Sequence, residues 1–293
     1  MKALVQKSPM PGFGLGMGIT LTMLSLVVLL PIGALLLFGL NFGPSEIWRV
    51  VNTERVWGAL FLSFRISLMA AVFNLVFGVA LAWVLSRYDF PGRRIVDAVV
   101  DLPFALPTAV AGIALTTLYA PNGVFGAFVK NHLAPAANSV FGVFGIEFSG
   151  KIAYTQWGIL IALIFVGLPF VVRTVQPVIG EIEREVEEAS ATLGATRAYT
   201  LRRVVLPMLA PAALTGFALS LARAVGEYGS VIFIAGNIPM KTEIAPLLIV
   251  IRLEEFDYGG ASAIGIAMLA ISFSMLLAIN LIQIWSRRRI GNV

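Results

Sequence analysis

Among the charged side chains inside apolar stretches of this sequence, three are candidates for a site. Arg223 and Glu227 are four residues apart, so on a helix they would share one face. Charges in apolar surroundings are costly and usually face each other or a water-filled cavity. The pair is therefore either a self-neutralising ion pair or a positive site on the path of an anion, with Glu227 tuning it or pairing with a neighbouring subunit. Arg65 is a second candidate for such a site, although we favour a side chain that reaches out to the aqueous interface.

A cluster of backbone-breaking residues begins another apolar stretch. Pro103 and Pro107 are four residues apart, and Thr108 follows directly. Each proline removes a helical hydrogen bond and bends the helix. Irregular backbone at membrane depth is tolerated where it lines a cavity or is buried in protein. The segment is thus either a kink that lines a pathway, with free carbonyls and the Thr108 hydroxyl, or a packing kink.

The residues needed for covalent or metal chemistry are largely missing from the sequence. There is no Cys, and His132 is the single histidine, so neither thiol chemistry nor a histidine metal site is expected. Gly145, Gly150 and Lys151 approach the spacing of a phosphate-binding loop, but Ile152 stands where a Ser or Thr should meet magnesium. We therefore predict no catalytic residues, no metal site and no cofactor in this chain.

The composition is that of a polytopic membrane protein. Apolar residues make up 58% and charged residues 13% of the chain, and the mean hydropathy is +0.90. A membrane-spanning helix needs about 20 apolar residues. The sequence predicts an all-α fold with one membrane domain over residues 1–293 and six spans. These spans lie at roughly 17–40, 57–86, 96–119, 153–175, 208–235 and 261–285.

Basic residues cluster at the ends of the spans. More Lys and Arg fall in the segments that face inward if both termini are cytoplasmic, which favours that orientation. The basic residues at the span ends account for the pI near 9.7, so no nucleic-acid partner is expected. The outer segment 120–152 is predicted to contain turns and a short surface helix. The outer segment 236–260 is predicted to contain a re-entrant or interfacial helix.

The longest inward segment, residues 176–207, has a pattern suited to contact with another protein. From Glu181 to Glu188 it is acidic and helix-prone, Gly194 allows a turn with positive φ, and a basic stretch leads to Pro207. Small residues around Ser190 permit close approach of a partner. The pattern fits a solvated amphipathic helix–turn–helix equally well.

These residues resemble the cytoplasmic loop of permease subunits of bacterial ATP-binding-cassette importers. The similarity includes Ser190, which replaces an alanine, a small-for-small change. The resemblance implies that this loop docks on a separate ATPase, which binds ATP and Mg, and we therefore call residues 176–207 the coupling segment. The residues implied in this contact are Glu187, Glu188, Ala189, Ser190, Gly194, Ala195, Leu206 and Pro207.

Longer stretches are similar to the molybdate/sulfate permease branch of that family. They are Tyr88-Asp89-Phe90-Pro91-Gly92-Arg93-Arg94, Asp101 to Gly112, Gly167 to Pro177, and Ala222 to Gly229. Phe233 to Pro239 and Phe256-Asp257-Tyr258 resemble T-type subunits of sulfate/thiosulfate importers.

The resemblance implies a type I importer permease fold in the bacterial inner membrane. It also implies a heterodimer with a second permease subunit, two ATPase subunits, an external sulfate-binding protein, and import of sulfate and thiosulfate by alternating access. A molybdate or tungstate permease of the same branch and an ion-coupled secondary transporter stay open as alternatives.

Overall fold

The structure is a computed structural model that describes residues 13–135 and 150–290, and those ranges are helical and connecting segments without strands. The N-terminal Lys2 and Lys7, and Gly145 of the loop rejected as a phosphate site, lie outside the described residues. In the first part the helices are α1 Phe13–Leu24, α2 Leu30–Asn41, α3 Pro44–Val51, α4 Glu54–Arg87, α5 Arg93–Ala105, α6 Thr108–Tyr119 and α7 Val124–Phe128. In the second part they are α8 Gln156–Glu181, α9 Arg184–Thr192, α10 Arg197–Thr200, α11 Leu206–Val225, α12 Val231–Ile234, α13 Ala245–Glu254 and α14 Tyr258–Ile290.

Six segments of the described chain are long and apolar enough to cross a bilayer, which confirms the predicted all-α polytopic class. Single π-helical turns join α1 to α2 and α10 to α11, so each pair forms a continuous segment. The six segments are Phe13–Gly39, Glu54–Arg87, Thr108–Leu133, Gln156–Glu181, Arg197–Val225 and Tyr258–Ile284.

The centre of the bundle is formed by α4, α8 and α11, which cross closely because small residues line their contacts. A side chain at Gly78 of α4 would collide with the Val171 side chain at 2.9 Å, and one at Gly216 of α11 would meet the Val171 backbone at the same distance. Small residues at such crossings let helix backbones approach in a membrane. By contrast, no residue of the apolar core of the first span is buried within the chain.

A buried polar contact lies within this three-helix crossing. Asn74 of α4 donates a hydrogen bond to the Ser220 hydroxyl of α11 at 3.1 Å, and both side chains are fully buried. Gly167 of α8 leaves room for them, because a Cβ there would come within 2.5 Å of both polar atoms. Each of the three central helices thus contributes one residue to the same contact.

The third span differs from its prediction in both limits. Instead of one helix over 96–119, α5 ends at Ala105, and Leu106 and Pro107 are extended before α6 begins. The residue before a proline is forced out of the α region, which explains the complete break at Leu106. The apolar span runs from Thr108, and α5 with its interior Pro103 lies outside it.

The fifth span is also interrupted, so its predicted extent over 208–235 is wrong at the C-terminal end. The helix α11 ends at Val225, residues 226–230 are irregular, and the short helix α12 follows. Gly226 and Gly229 flank this break, and glycine is a poor helix former. Glu227 therefore lies just beyond the helix and not within it.

The two segments predicted to face outward contain the predicted short helices. In the segment 236–260, α13 buries Ala245, Leu247 and Leu248 against the bundle, so it packs as part of the fold. In the segment 120–152, α7 is a short helix, and residues 136–149 lie outside the described ranges. Whether α13 is re-entrant or interfacial stays a prediction.

Candidate coupling segment and transport pathway

The coupling segment forms the predicted helix–turn–helix. The acidic helix α9 ends in a Schellman motif, in which the amide of Gly194 donates to the Ala191 carbonyl at 2.9 Å and the amide of Ala195 donates to the Ser190 carbonyl at 3.1 Å. Gly194 has φ 84°, the left-handed conformation that this motif requires. The chain therefore turns where the sequence predicted.

The second helix of the coupling segment leads directly into the fifth span. The Thr196 side chain accepts a hydrogen bond from the Tyr199 amide at 3.3 Å and begins α10. From α10 the helical path continues through residues 201–205 into α11, which has Pro207 in its first turn. A hydrogen bond of 2.8 Å between the hydroxyls of Ser190 and Thr200 holds the two helices together.

Arg87, at the end of α4, anchors the start of the acidic helix. Its Nη2 donates to the Ile182 carbonyl at 2.8 Å and lies 3.0 Å from Glu187 Oε1. The Arg87–Glu187 contact meets the distance of an ion pair, but this Glu187 oxygen accepts no hydrogen bond, so the attraction is electrostatic. The guanidinium also lies over the Trp83 ring at 5.4 Å. No local pattern in the sequence singled out Arg87 for this contact.

The opposite surface of α9 and its turn is exposed. Glu188, Ala189 and Gly194 are exposed, and the Leu193 side chain is 89% exposed. Leu206 is also exposed, whereas Glu187, Ser190, Ala195 and Pro207 are half-buried. An exposed leucine beside small residues is a surface that a partner could cover. Contact of these residues with an ATPase stays a prediction.

Arg223 and Glu227 form the ion pair that their spacing indicated. Glu227 Oε2 contacts Arg223 Nη1, and its other oxygen accepts from the amide and the hydroxyl of Ser230, both at 2.8 Å. The Glu227 side chain is 1% exposed and that of Arg223 is 33% exposed. The carboxylate is thus satisfied inside the protein, while part of the guanidinium remains accessible.

The irregular residues 106–107 before the third span and 226–230 after α11 of the fifth span, which we call the breaks of these spans, pack against each other. A Cβ at Gly229 would collide with the Thr108 hydroxyl, and one at Gly112 of α6 would lie 2.5 Å from the Ser230 carbonyl oxygen. Two separated candidates, Thr108 and the Arg223–Glu227 pair, are therefore brought to one irregular region. Pro107 is exposed at this break, and Pro103 is half-buried in the preceding helix α5.

Arg65 is not part of this irregular region. It is exposed on α4, donates to the Gln156 side chain at 2.5 Å and lies 5.7 Å from the centre of the Phe61 ring. Gln156 in turn donates to the Lys241 carbonyl at 2.9 Å, so this contact ties α8 to the segment before α13. Gln156 is the first residue of α8, and this position agrees with the prediction that the Arg65 side chain reaches the aqueous interface.

Sequence reasoning missed a second buried carboxylate at the same end of the bundle. Glu243 is 1% exposed at its side chain and is held by Arg55 in two hydrogen bonds of 2.7 and 2.9 Å. The residues are 188 positions apart, and neither lies inside a predicted apolar core, so no local spacing indicated the pair.

Among the described residues, no group of acidic or histidine side chains could hold a metal ion.

The fold and a family comparison define the class of protein. Residues 74–292 match the family model described as binding-protein-dependent transport system inner membrane component, and the chain belongs to this family. It is a multi-pass inner membrane component of an ABC transporter.

The particular relatives are sulfate permease proteins. The chain is 45% identical over 293 residues to the sulfate transport system permease protein CysT of Salmonella typhimurium, with 100% of each chain covered. It is 44% identical over 293 residues to CysT of Escherichia coli, again with 100% of each covered. To CysT of Synechocystis it is 47% identical over 270 residues, covering 92% of this chain and 89% of the relative.

Solved structures confirm the importer permease fold. A bacterial alginate ABC transporter, in complex with an alginate pentasaccharide-bound periplasmic protein, matches with a TM-score of 0.70 at 18% identity and covers 94% of this chain and 93% of the other. Another structure of a bacterial ABC transporter that imports alginate matches with a TM-score of 0.66 at 17% identity, covering 92% of each chain. At such identities the likeness concerns the fold.

Proposed function

We propose that this chain is the permease subunit through which an ATP-driven importer moves sulfate across the inner membrane. The observation that carries this proposal is the full-length identity of 45% to a sulfate permease protein. Thiosulfate has the same charge and a tetrahedral shape, and we include it as a second substrate.

The chain works in this proposal as half of a heterodimer. The first span exposes its apolar core to its surroundings, which leaves a face for lipid or for the second permease subunit. Two ATPase subunits bind on the cytoplasmic side, and an external sulfate-binding protein delivers the substrate. ATP and Mg are bound by the ATPase, so no covalent step occurs in this chain.

The coupling segment receives the movement of the ATPase. Closure of the ATPase dimer pushes on α9, whose exposed surface around Leu193 forms the contact. Arg87 and the Ser190–Thr200 hydrogen bond tie α9 to α4 and to the fifth span, so these elements respond together. The spans then open outward to accept sulfate, and hydrolysis returns them to the inward state.

The packed breaks of the third and fifth spans are the proposed pathway. Backbone groups at such breaks lack helical partners and can contact a dehydrating anion. Arg223 adds a partly accessible positive charge there, and its pairing with Glu227 keeps that charge from holding a dianion too tightly. Arg65 at the entrance attracts anions without forming the site.

Uptake in proteoliposomes tests the substrate and the energy source. The chain, purified with the subunits that co-elute, is reconstituted with an excess of external sulfate-binding protein, and labelled sulfate uptake is measured with and without internal ATP. We expect ATP-dependent uptake that thiosulfate inhibits more strongly than molybdate or tungstate.

Two results would contradict the proposal. Stronger competition by molybdate or tungstate would assign the chain to the molybdate branch. Uptake that follows an imposed membrane potential or proton gradient in the absence of ATP would assign it to ion-coupled transport.

A further inference from the structure

We propose that Arg173 is a positioning residue that fixes α5 to α8 through Asp97 and Asp101, so that movement of the coupling segment reaches the break in the third span. This inference rests on the proposed function, because it concerns how ATP-driven movement is transmitted. None of these three residues was given a role by the sequence patterns.

The guanidinium of Arg173 is surrounded by acceptors from α5. Its Nε and Nη2 donate to the two carboxylate oxygens of Asp101 at 2.7 and 2.5 Å, a bidentate contact. Its Nη1 donates to Asp97 Oδ1 at 2.8 Å, and Nη2 also donates to the Asp97 carbonyl at 3.0 Å. Gln176, one turn further along α8, accepts from Nη1 at 2.6 Å. We call Arg173, Asp97 and Asp101 the α5 clamp.

Within the α5 clamp, Arg173 favours the ionised state of the Asp97 carboxylate. The hydrogen bond from Arg173 lowers the pKa of Asp97 below its ordinary value, although partial burial acts in the opposite direction. The Arg173 guanidinium therefore faces an ionised Asp97 carboxylate at physiological pH. Its planar fork makes this contact directional, so lysine would not replace it.

Apolar packing holds α5 only weakly. Val100 is the single buried residue of this 13-residue helix, and the Phe104 ring packs edge-on against Phe170 of α8 with 5.2 Å between the ring centres, whereas Ile95 and Val99 are exposed. Within the described part of the chain, the ion pairs that join α5 to another helix are the two formed by Arg173. The clamp thus adds directional polar contacts to a small apolar contact between α5 and α8.

The clamp lies between two elements with proposed functions. On α8, Arg173 is about two turns before the helix end at Glu181, and α9 begins three residues later at Arg184. On the other side, α5 leads directly to the break at Leu106 and Pro107, which packs against the fifth span through Thr108. A rigid α5–α8 contact therefore links the coupling segment to the proposed pathway.

The ratio of sulfate imported to ATP hydrolysed tests this role in the reconstituted complex. In Arg173→Gln, Arg173→Lys and Asp101→Asn, we expect the ratio to fall by about 2- to 30-fold, the range of typical coupling changes. The double variant Asp101→Asn with Arg173→Gln should be no worse than Arg173→Gln, because the residues act as one unit. Arg49→Gln is the control, since it removes an exposed ion pair on α3. An unchanged ratio in Arg173→Gln would overturn the inference.

A distance measurement separates this inference from the proposed function. Because the chain has no cysteine, Ala98→Cys on α5 and Glu181→Cys at the end of α8 give two exposed sites for spin labels. In the assembled complex we expect the distance between the two spin labels to have one narrow distribution, which is the same with and without nucleotide. The substitution Asp101→Asn should broaden this distribution. A distribution that is already broad with Arg173 intact, or one that Asp101→Asn leaves narrow, would refute the clamp. Absence of ATP-dependent sulfate uptake would refute the function while leaving these distances interpretable.

Discussion

Single residues decide whether the coupling segment keeps its turn. Gly194 has φ 84°, and a Cβ there would meet nothing within 4 Å. The requirement for glycine is therefore conformational and not steric. A non-glycine L-residue pays about 1–2 kcal/mol in the left-handed region, and a β-branched one fits worst.

We expect Gly194→Val to preserve assembly of the spans and to abolish stimulation of the ATPase during transport. The measurement is ATP hydrolysis and sulfate uptake by the purified complex. Gly194→Asn is the matched control, because asparagine tolerates positive φ and should retain most of the activity. Normal uptake with a stimulated ATPase in Gly194→Val would count against the docking role of this turn.

The Arg223–Glu227 pair predicts unequal effects of removing its two members. Arg223→Gln leaves a carboxylate that is 1% exposed without its charged partner, which costs on the order of 3 kcal/mol. Glu227→Gln keeps an acceptor for Ser230 and leaves an arginine that is 33% exposed and can reach water. The melting temperature of the purified complex should therefore fall more in Arg223→Gln. An equal or larger fall in Glu227→Gln would show that the buried carboxylate is not the costly member.

At the level of elements, the two interrupted spans depend on glycines at their contact. Gly112 lies inside α6, where alanine would normally favour the helix by up to about 1 kcal/mol. A Cβ at this position would instead approach the Ser230 carbonyl oxygen to 2.5 Å, and this neighbour is backbone that cannot rotate away.

We predict that Gly112→Ala lowers both the melting temperature and the uptake rate. Gly58→Ala on α4 is the matched control, since nothing lies within 4 Å of its Cβ position and the helix should be unaffected or slightly stabilised. A Gly112→Ala complex as stable and active as Gly58→Ala would mean that the two breaks do not stay in contact.

At the level of the whole molecule, orientation in the membrane sets which partners each surface can meet. The basic residues predict that the turn after α9 faces the cytoplasm and that the segment before α14 faces outward. Leu193 and Phe256 are both highly exposed, at 89% and 78%, and mark these two surfaces.

A cysteine-free chain makes this orientation directly measurable. In intact spheroplasts, a membrane-impermeant thiol reagent should label Phe256→Cys but not Leu193→Cys, and lysis should expose Leu193→Cys. Labelling of Leu193→Cys from outside would place the coupling segment away from any cytoplasmic ATPase and would invalidate the mechanism.

The sequence predicted the features that depend on interactions between residues close together in the chain. The six spans follow from runs of apolar residues, and the turn at Gly194 follows from a glycine between a helix-prone acidic stretch and a basic one. The Arg223–Glu227 contact followed from four-residue spacing. The N-terminal limit of the third span was wrong because one helix was predicted to run through Pro107, whereas the backbone is extended at Leu106 and Pro107.

By itself the sequence determined the class of fold, the number of spans and the position of the turn, because periodicity, hydropathy and glycine conformations act over a few residues. Only the tertiary structure brought Arg173 to Asp97 and Asp101, Arg55 to Glu243, and the break at Pro107 to the break at Gly229. These contacts join residues far apart in the chain, and their partners are chosen by how the helices cross, which no local spacing encodes.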